Sequence, residues 1–510
     1  MEIKTAIEYL INYGLHHHLI EISDKMYIRN QYYFMLNLDY EPIKIELNYD
    51  VPEQNPELLL ARIYQYVVTH EKDHKLKMNQ DMFYAELMNV MTPRPSQIRQ
   101  YFELIKATHG ISKAIDYFYN LSVASNCIKL HNAQQNQFWY SPSSYGNLEI
   151  IINLSRPERS SHEIINDYYK ASSSYPQCFL CLENEGYAGN NTKQSRFNHR
   201  VVPLLLNHKT WFFQFSSYLC FEKHSLIFSE QHRDMAINQD IFMAMFDYVD
   251  LMPNYFIGAN TELPIIGGSI LSHEHFHSGI HSFPIDHAGI RSTITWHQYP
   301  QVTSCILEWP LSTIRLQGGR NELLNLADII LKNWLKYNNP SIQIISQTGS
   351  QHSSLNPIVR KLGENQYQLD LILRNNRCNQ QYPTGIFHSH QHLHHIKKEN
   401  IGLVEAMGMA ILPGRLKAEI ELIIDFILNK MNVDDIQTND CLYIHQQWIN
   451  ALSEQREHMN KLALQQIIEV SIGHKFTQML ECAGVFKNTP QGNQAFIDFI
   501  QDVNRDVANL

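Results

Sequence analysis

Three histidines alternate in His273-Glu-His-Phe-His277, and that spacing constrains the chain more than any other feature. In a β-strand, residues i, i+2 and i+4 project to one face, so the three imidazoles would line one side of a strand. Packing gives no reason for them, because apolar side chains cost less on a rigid buried face. Directly upstream, Gly267 and Gly268 lie in Leu263-Pro-Ile-Ile-Gly-Gly-Ser-Ile-Leu, where missing Cβ atoms let backbone N–H groups approach an anion closely. A nucleophilic imidazole beside a phosphate cradle is the chemistry these residue types imply. The alternation returns downstream as His388-Ser-His-Gln-His392, which reads either as the trace of a duplicated unit or as the coincidence expected in a histidine-rich chain.

The rest of the chain can support such a site. Its 510 residues, 44% apolar and 18% charged, bury a large core and exclude a disordered polypeptide. Length alone gives a soft prior of about three domains. Forty-one basic and 51 acidic side chains leave a net charge of −10, so general nucleic-acid binding is not expected, although a local basic pocket is compatible. Eight cysteines, all but one pair scattered, match a reducing compartment. The start, Met1-Glu-Ile-Lys-Thr-Ala-Ile-Glu, lacks the basic-then-apolar order of a signal peptide, and no run reaches the ~18 apolar residues of a membrane span. A cytoplasmic protein without membrane partners is expected.

Apolar residues at three-and-four spacing predict helices over Leu58–Tyr66, Met82–Met91 and Ile98–Ile105. From Asn147 short apolar runs predict strands at Leu148–Leu154, Ser225–Ser229, Ser341–Ile345 and Tyr367–Leu373. Helices are expected between them at Ile241–Val249 and Leu323–Leu335, and again at Ile420–Leu428 and Phe496–Val503. The fold class is α+β: a helical region over 1–145, a catalytic half over 146–300, a second half over 301–415 and a helical region over 416–510.

Several blocks then carry a resemblance. Asp24-Lys-Met-Tyr-Ile-Arg-Asn, Thr92-Pro-Arg-Pro-Ser, Leu180-Cys-Leu-Glu-Asn-Glu-Gly-Tyr-Ala-Gly189, Trp211-Phe-Phe-Gln, the Gly-Gly-Ser-Ile-Leu-Ser-His-Glu-His stretch, Leu373-Arg-Asn-Asn-Arg377 and His395-Ile-Lys-Lys-Glu-Asn-Ile-Gly402 occur in this order. Over nearly its whole length the chain resembles the second, bacterial class of galactose-1-phosphate uridylyltransferases, within the histidine-triad superfamily. The resemblance implies a histidine-triad-like antiparallel sheet core and uridylyl transfer from UDP-glucose to galactose 1-phosphate in two displacements. His275 would be the nucleophile, flanked by His273 and His277. Neutral imidazole suits that role, provided a hydrogen bond holds its other nitrogen. The family's usual residue at position 277 is glutamine. The histidine here leaves a triad-type nucleotide hydrolase or phosphorylase as the alternative reading.

Other site residues follow from the same resemblance. Cys178-Phe-Leu-Cys181 is half a tetrahedral zinc site, which His232 and His273 would complete as a structural metal; no organic cofactor is implied. Substrate contacts are expected from Asn260, Gly267, Gly268, Ser269, Arg315, Arg374, Lys397, Lys398 and Glu405, with Asn198 and Gln214 as candidates for uridine. Members of the superfamily are often dimers, so a homodimer is expected.

Overall fold

A computed structural model describes residues 2–40, 56–70, 79–154, 175–190, 193–398, 400–429, 440–454 and 460–508. The chain divides into two compact units. The first comprises Met1–Gln134, Ser172–Leu219 and Lys223–His232. Its helices include Glu57–His70, Gln80–Met91, Pro95–His109 and Ile111–Ala124, the first three of which contain the expected apolar stripes. The Asn79 side chain accepts from the Met82 amide, and Pro95 opens its helix where a missing N–H costs nothing. Strands Val202–Leu206, Lys209–Phe215 and Ser225–Ser229 pair antiparallel in that order. Phe118 joins helix to strand, its ring centroid 5.7 Å from Phe215 and 6.2 Å from Phe213.

The second unit comprises Gln135–Ala171, Cys220–Glu222 and Arg233–Leu510. Seven of its strands form an antiparallel array: His275–Gly279, Phe256–Gly258, Ser353–Gly363, Gln366–Asn375, Thr313–Gly318, Thr303–Glu308 and Gly289–Ile294. A smaller sheet joins Gln137–Ser143 to Gly146–Asn153 antiparallel, and Met409–Pro413 to the latter in parallel. Helices Arg415–Leu428, Gln446–Ser453 and Lys461–Ala483 share one apolar core with that sheet, centred on Trp309, Ile150, Met409, Ile423 and Phe476. The α+β reading holds, with helices at both ends of the chain. Among the described residues no helix is long and apolar enough to cross a membrane.

Three local expectations differ. Ser341–Ile345 is not a strand but a tight turn around the 3-10 helix Pro340–Ile342. Pro340 fixes its own φ, and Gln343 turns left-handed at φ 64°, so Asn339 and Ile344 close on each other. His273 precedes its strand, which begins at His275. His388, His390 and His392 lie in a loop and the one-turn helix Gln391–Leu393, so their alternate spacing does not mark a strand face.

Candidate active site

Within the second unit, the strand His275–Gly279 holds His275 buried at 4% exposure and His277 half-buried on the same face, ring centroids 5.5 Å apart. The Nδ1 of His275 lies 2.7 Å from the carbonyl oxygen of His273. A carbonyl only accepts, so Nδ1 carries the proton and Nε2 keeps its lone pair. Burial pushes the pKa of His275 down to about 4, and the hydrogen bond it donates to the His273 carbonyl only partly opposes this. The imidazole is therefore neutral at physiological pH, with one nitrogen available as nucleophile.

The glycine turn is packed tightly. A Cβ on Gly267 would fall 2.7 Å from the carbonyl oxygens of Thr261 and Leu263, and one on Gly268 would fall 2.6 Å from Nδ2 of Asn260. Close approach is thus required at Gly267 by neighbouring carbonyls and at Gly268 by the Asn260 side chain. Ser269 beside them is half-buried. Asn260 is buried and its Oδ1 accepts from the Leu403 amide at 2.9 Å. Asn400 reaches the same turn, its Nδ2 donating to the Gly267 carbonyl.

Those two asparagines fasten the glycine turn to the segment carrying Lys397 and Glu405. Lys397, only 1% exposed, sits 3.0 Å from Oε1 of Glu405 and donates to the Ile411 carbonyl. Oε2 of Glu405 caps the turn by accepting from Gly402 N at 3.1 Å. Lys398 is exposed. Arg374 is fully buried, donating to Oδ1 of Asn356 and to the Ile401 carbonyl, while His388 accepts from the Ile401 amide. Arg315 stands opposite Asp370 across two strands and makes a two-pronged pair at 2.7 Å on each side, with a third bond to the Ile285 carbonyl. Its guanidinium is taken up inside the sheet. Asn356 and Asn400 were not among the expected site residues. A buried asparagine within Leu355-Asn-Pro-Ile-Val is the signal that marks the first.

In the first unit, Cys178, Cys181 and His232 place donor atoms within 4.8 Å of one another. The sulfurs are 3.6 Å apart, and Sγ of Cys181 is 3.1 Å from Nδ1 of His232. The Leu180 amide points at Sγ of Cys178 and the Cys178 amide at Sγ of Cys181, as thiolate ligands need. Asn184 pins the turn by donating to both the Cys178 and Cys181 carbonyls. Two sulfurs and an imidazole fit zinc chemistry. Asn198 donates to the Ser125 carbonyl and lines a cavity of about 160 Å³ with Arg196 and His199; Gln214 Oε1 is bonded to His199 Nε2.

Residues 19–234 match the family model described as galactose-1-phosphate uridyl transferase, N-terminal domain, and residues 248–439 match that of its C-terminal domain. The chain is similar to the galactose-1-phosphate uridylyltransferase of Fusobacterium nucleatum, 39% identical over 99% of each chain. It is 40% identical to that of Caldanaerobacter subterraneus over 97% of each chain. With that of Bacillus subtilis it shares 37% over 99% of this chain and 98% of the other. Among solved structures it is similar to yeast Ap4A phosphorylase Apa2, at TM-score 0.31 and 11% identity, covering 56% of this chain and 81% of that one, a likeness on which nothing rests. Two family models spanning most of the sequence and relatives matched end to end have one consequence: the chain belongs to the galactose-1-phosphate uridylyltransferase family.

Proposed function

We propose that this protein moves a uridylyl group from UDP-glucose to galactose 1-phosphate by double displacement on His275. Nε2 of His275 attacks the α-phosphorus, an N–P bond forms, and the bond to the β-phosphate oxygen breaks, releasing glucose 1-phosphate. A phosphate oxygen of galactose 1-phosphate then attacks the same phosphorus and the N–P bond breaks, freeing neutral His275 and UDP-galactose. The observation that carries this reading is the His275–His273 carbonyl bond, which fixes the tautomer with Nε2 free. The backbone around Gly267 to Ser269, with Lys398, is assigned to the phosphates, and Glu405 to a sugar hydroxyl.

Zinc belongs to the same reading, held by Cys178, Cys181, His232 and His273. The fourth ligand is supported by the chain itself: the Glu274 amide donates to the Arg233 carbonyl at 2.8 Å, and His273 and His232 immediately precede these two residues. The metal supplies rigidity where the triad begins. A cytoplasmic homodimer without nucleic-acid or membrane partners completes the proposal. Incubating the protein with UDP-glucose, with and without galactose 1-phosphate, tests it: exchange supports transfer, hydrolysis alone supports the hydrolase reading, and neither defeats both.

A further inference from the structure

Residues 388–398 and 400–402 have little regular backbone structure beyond one 3-10 turn, so side chains must hold them. One group of side chains does this in a closed cycle. Nε2 of His445 lies 3.1 Å from Oε2 of Glu419. Nδ1 of the same ring lies 2.7 Å from Nδ1 of His395. The carbonyl of His395 accepts from Nη1 of Arg415 at 3.2 Å, and that nitrogen returns to Oε2 of Glu419 at 2.6 Å. Nη2 of Arg415 also reaches the Ile396 carbonyl. Trp448 covers both rings, with centroids 5.5 Å from His395 and 5.6 Å from His445.

The protons in this cycle can be placed. A carboxylate only accepts, so Nε2 of His445 carries hydrogen, and the two facing Nδ1 atoms of His445 and His395 share one proton between them. Burial first, then the charges of Lys475, His445, Arg415 and His392, push the pKa of His395 down to about 3, which keeps that ring neutral. Burial alone would raise the Glu419 carboxyl. The bond from His445 and the Arg415 charge outweigh burial and hold it below the ordinary range. His445 is itself 1% exposed, so both of its ring nitrogens need partners, and Glu419 and His395 supply them.

We propose that Glu419, His445 and His395 are positioning residues, whose cycle with Arg415 fixes residues 395–398 and 400–405 and thereby sets Lys398 for the phosphate and Glu405 for a sugar hydroxyl of galactose 1-phosphate. This rests on the functional reading above for what the segment holds, but the cycle itself does not.

The test uses the full-length protein. His445→Phe removes both ring bonds while keeping a planar side chain beside Trp448. It should speed amide exchange of His395 to Lys397 and of Asn400 to Glu405 at least tenfold, with exchange elsewhere unchanged. It should also raise KM for galactose 1-phosphate about tenfold or more, with KM for UDP-glucose and kcat within about threefold. Glu419→Gln is the conservative variant: both donors reach the same oxygen, which an amide carbonyl can replace, so exchange and KM should return to within about threefold of wild type. Unchanged exchange in His445→Phe would overturn the proposal. So would a fall in kcat and a rise in both KM values that track lost melting temperature, the result for a merely structural contact, and so would a Glu419→Gln as impaired as His445→Phe. A wild type that exchanges no uridylyl group would defeat the functional reading and the substrate half of this proposal, and amide exchange would still decide the cycle.

Discussion

His275 donates through Nδ1 to the carbonyl oxygen of His273, 2.7 Å away. The bond joins the proposed nucleophile to the residue proposed to anchor a metal two positions earlier. One short backbone contact thus sets which nitrogen is left for the proposed attack and ties the ring's direction to the turn before the strand. The variants below separate these effects.

The metal is tested by elemental analysis. The protein as purified should hold about one zinc per chain, and Cys181→Ser should lose it. Losing a structural zinc removes folding free energy directly, so melting should fall by many degrees. Metal-free protein with unchanged melting would remove the zinc assignment.

Arg315→Leu isolates the buried pair. It leaves the Asp370 carboxylate, 1% exposed, without its partner, a loss worth about 3–5 kcal/mol of stability. Replacing both by apolar residues should recover most of it. KM values of the folded double variant should stay near wild type; a rise confined to one substrate would instead make Arg315 a substrate contact.

How much was legible in the sequence depends on range. Helices such as Gln80–Met91 and Arg320–Trp334 were readable because their apolar stripes repeat within the element. The Cys178/Cys181 turn and the triad were readable because their ligands are neighbours in the chain. The turn at Ser341 was not, because an apolar run of five residues cannot outweigh Pro340 and a left-handed Gln343. Nor did the sequence reveal where Arg315, Arg374 and Lys397 point. A cation announces itself, whereas its partner, Asp370 or Glu405, is brought to it only by strand register or loop closure. The His395–His445 bond, joining an irregular segment to a helix start, carries no local signature at all.

Acid should destabilise the fold well above the carboxylate range. Burial first, then the charges of Arg196 and Arg374 respectively, depress the pKa values of His199 and His388 to about 3. The unfolded chain takes up these protons near 6.5 and the folded chain does not, so stability present above pH 6.5 is lost as pH falls from there toward 3. His388→Gln keeps an acceptor for the Ile401 amide but cannot titrate. Its unfolding free energy should fall less steeply with pH around 5, by up to one proton, or about 1.4 kcal/mol per pH unit. Equal slopes would show that His388 is not neutral in the native state.

His277 shares the strand face of the proposed nucleophile His275, at a position where the resemblance implies glutamine as the family's usual residue. An imidazole can relay a proton to or from water, which an amide cannot. Slow conversion of UDP-glucose to UMP and glucose 1-phosphate is expected without a second sugar phosphate. His277→Gln should suppress that leak several-fold while sugar exchange is kept or raised. Equal leakage in both proteins would reduce His277 to a hydrogen-bond donor.

The central claim is covalent catalysis on His275. Protein incubated with UDP-glucose labelled in its α-phosphate, then denatured in base and digested, should yield one labelled peptide containing His275, its mass raised by a uridylyl group. Adding galactose 1-phosphate before denaturation should discharge the label into UDP-galactose, and His275→Ala, still folded, should take up none. Label on another residue, or exchange by His275→Ala at even a tenth of the wild-type rate, would contradict the account.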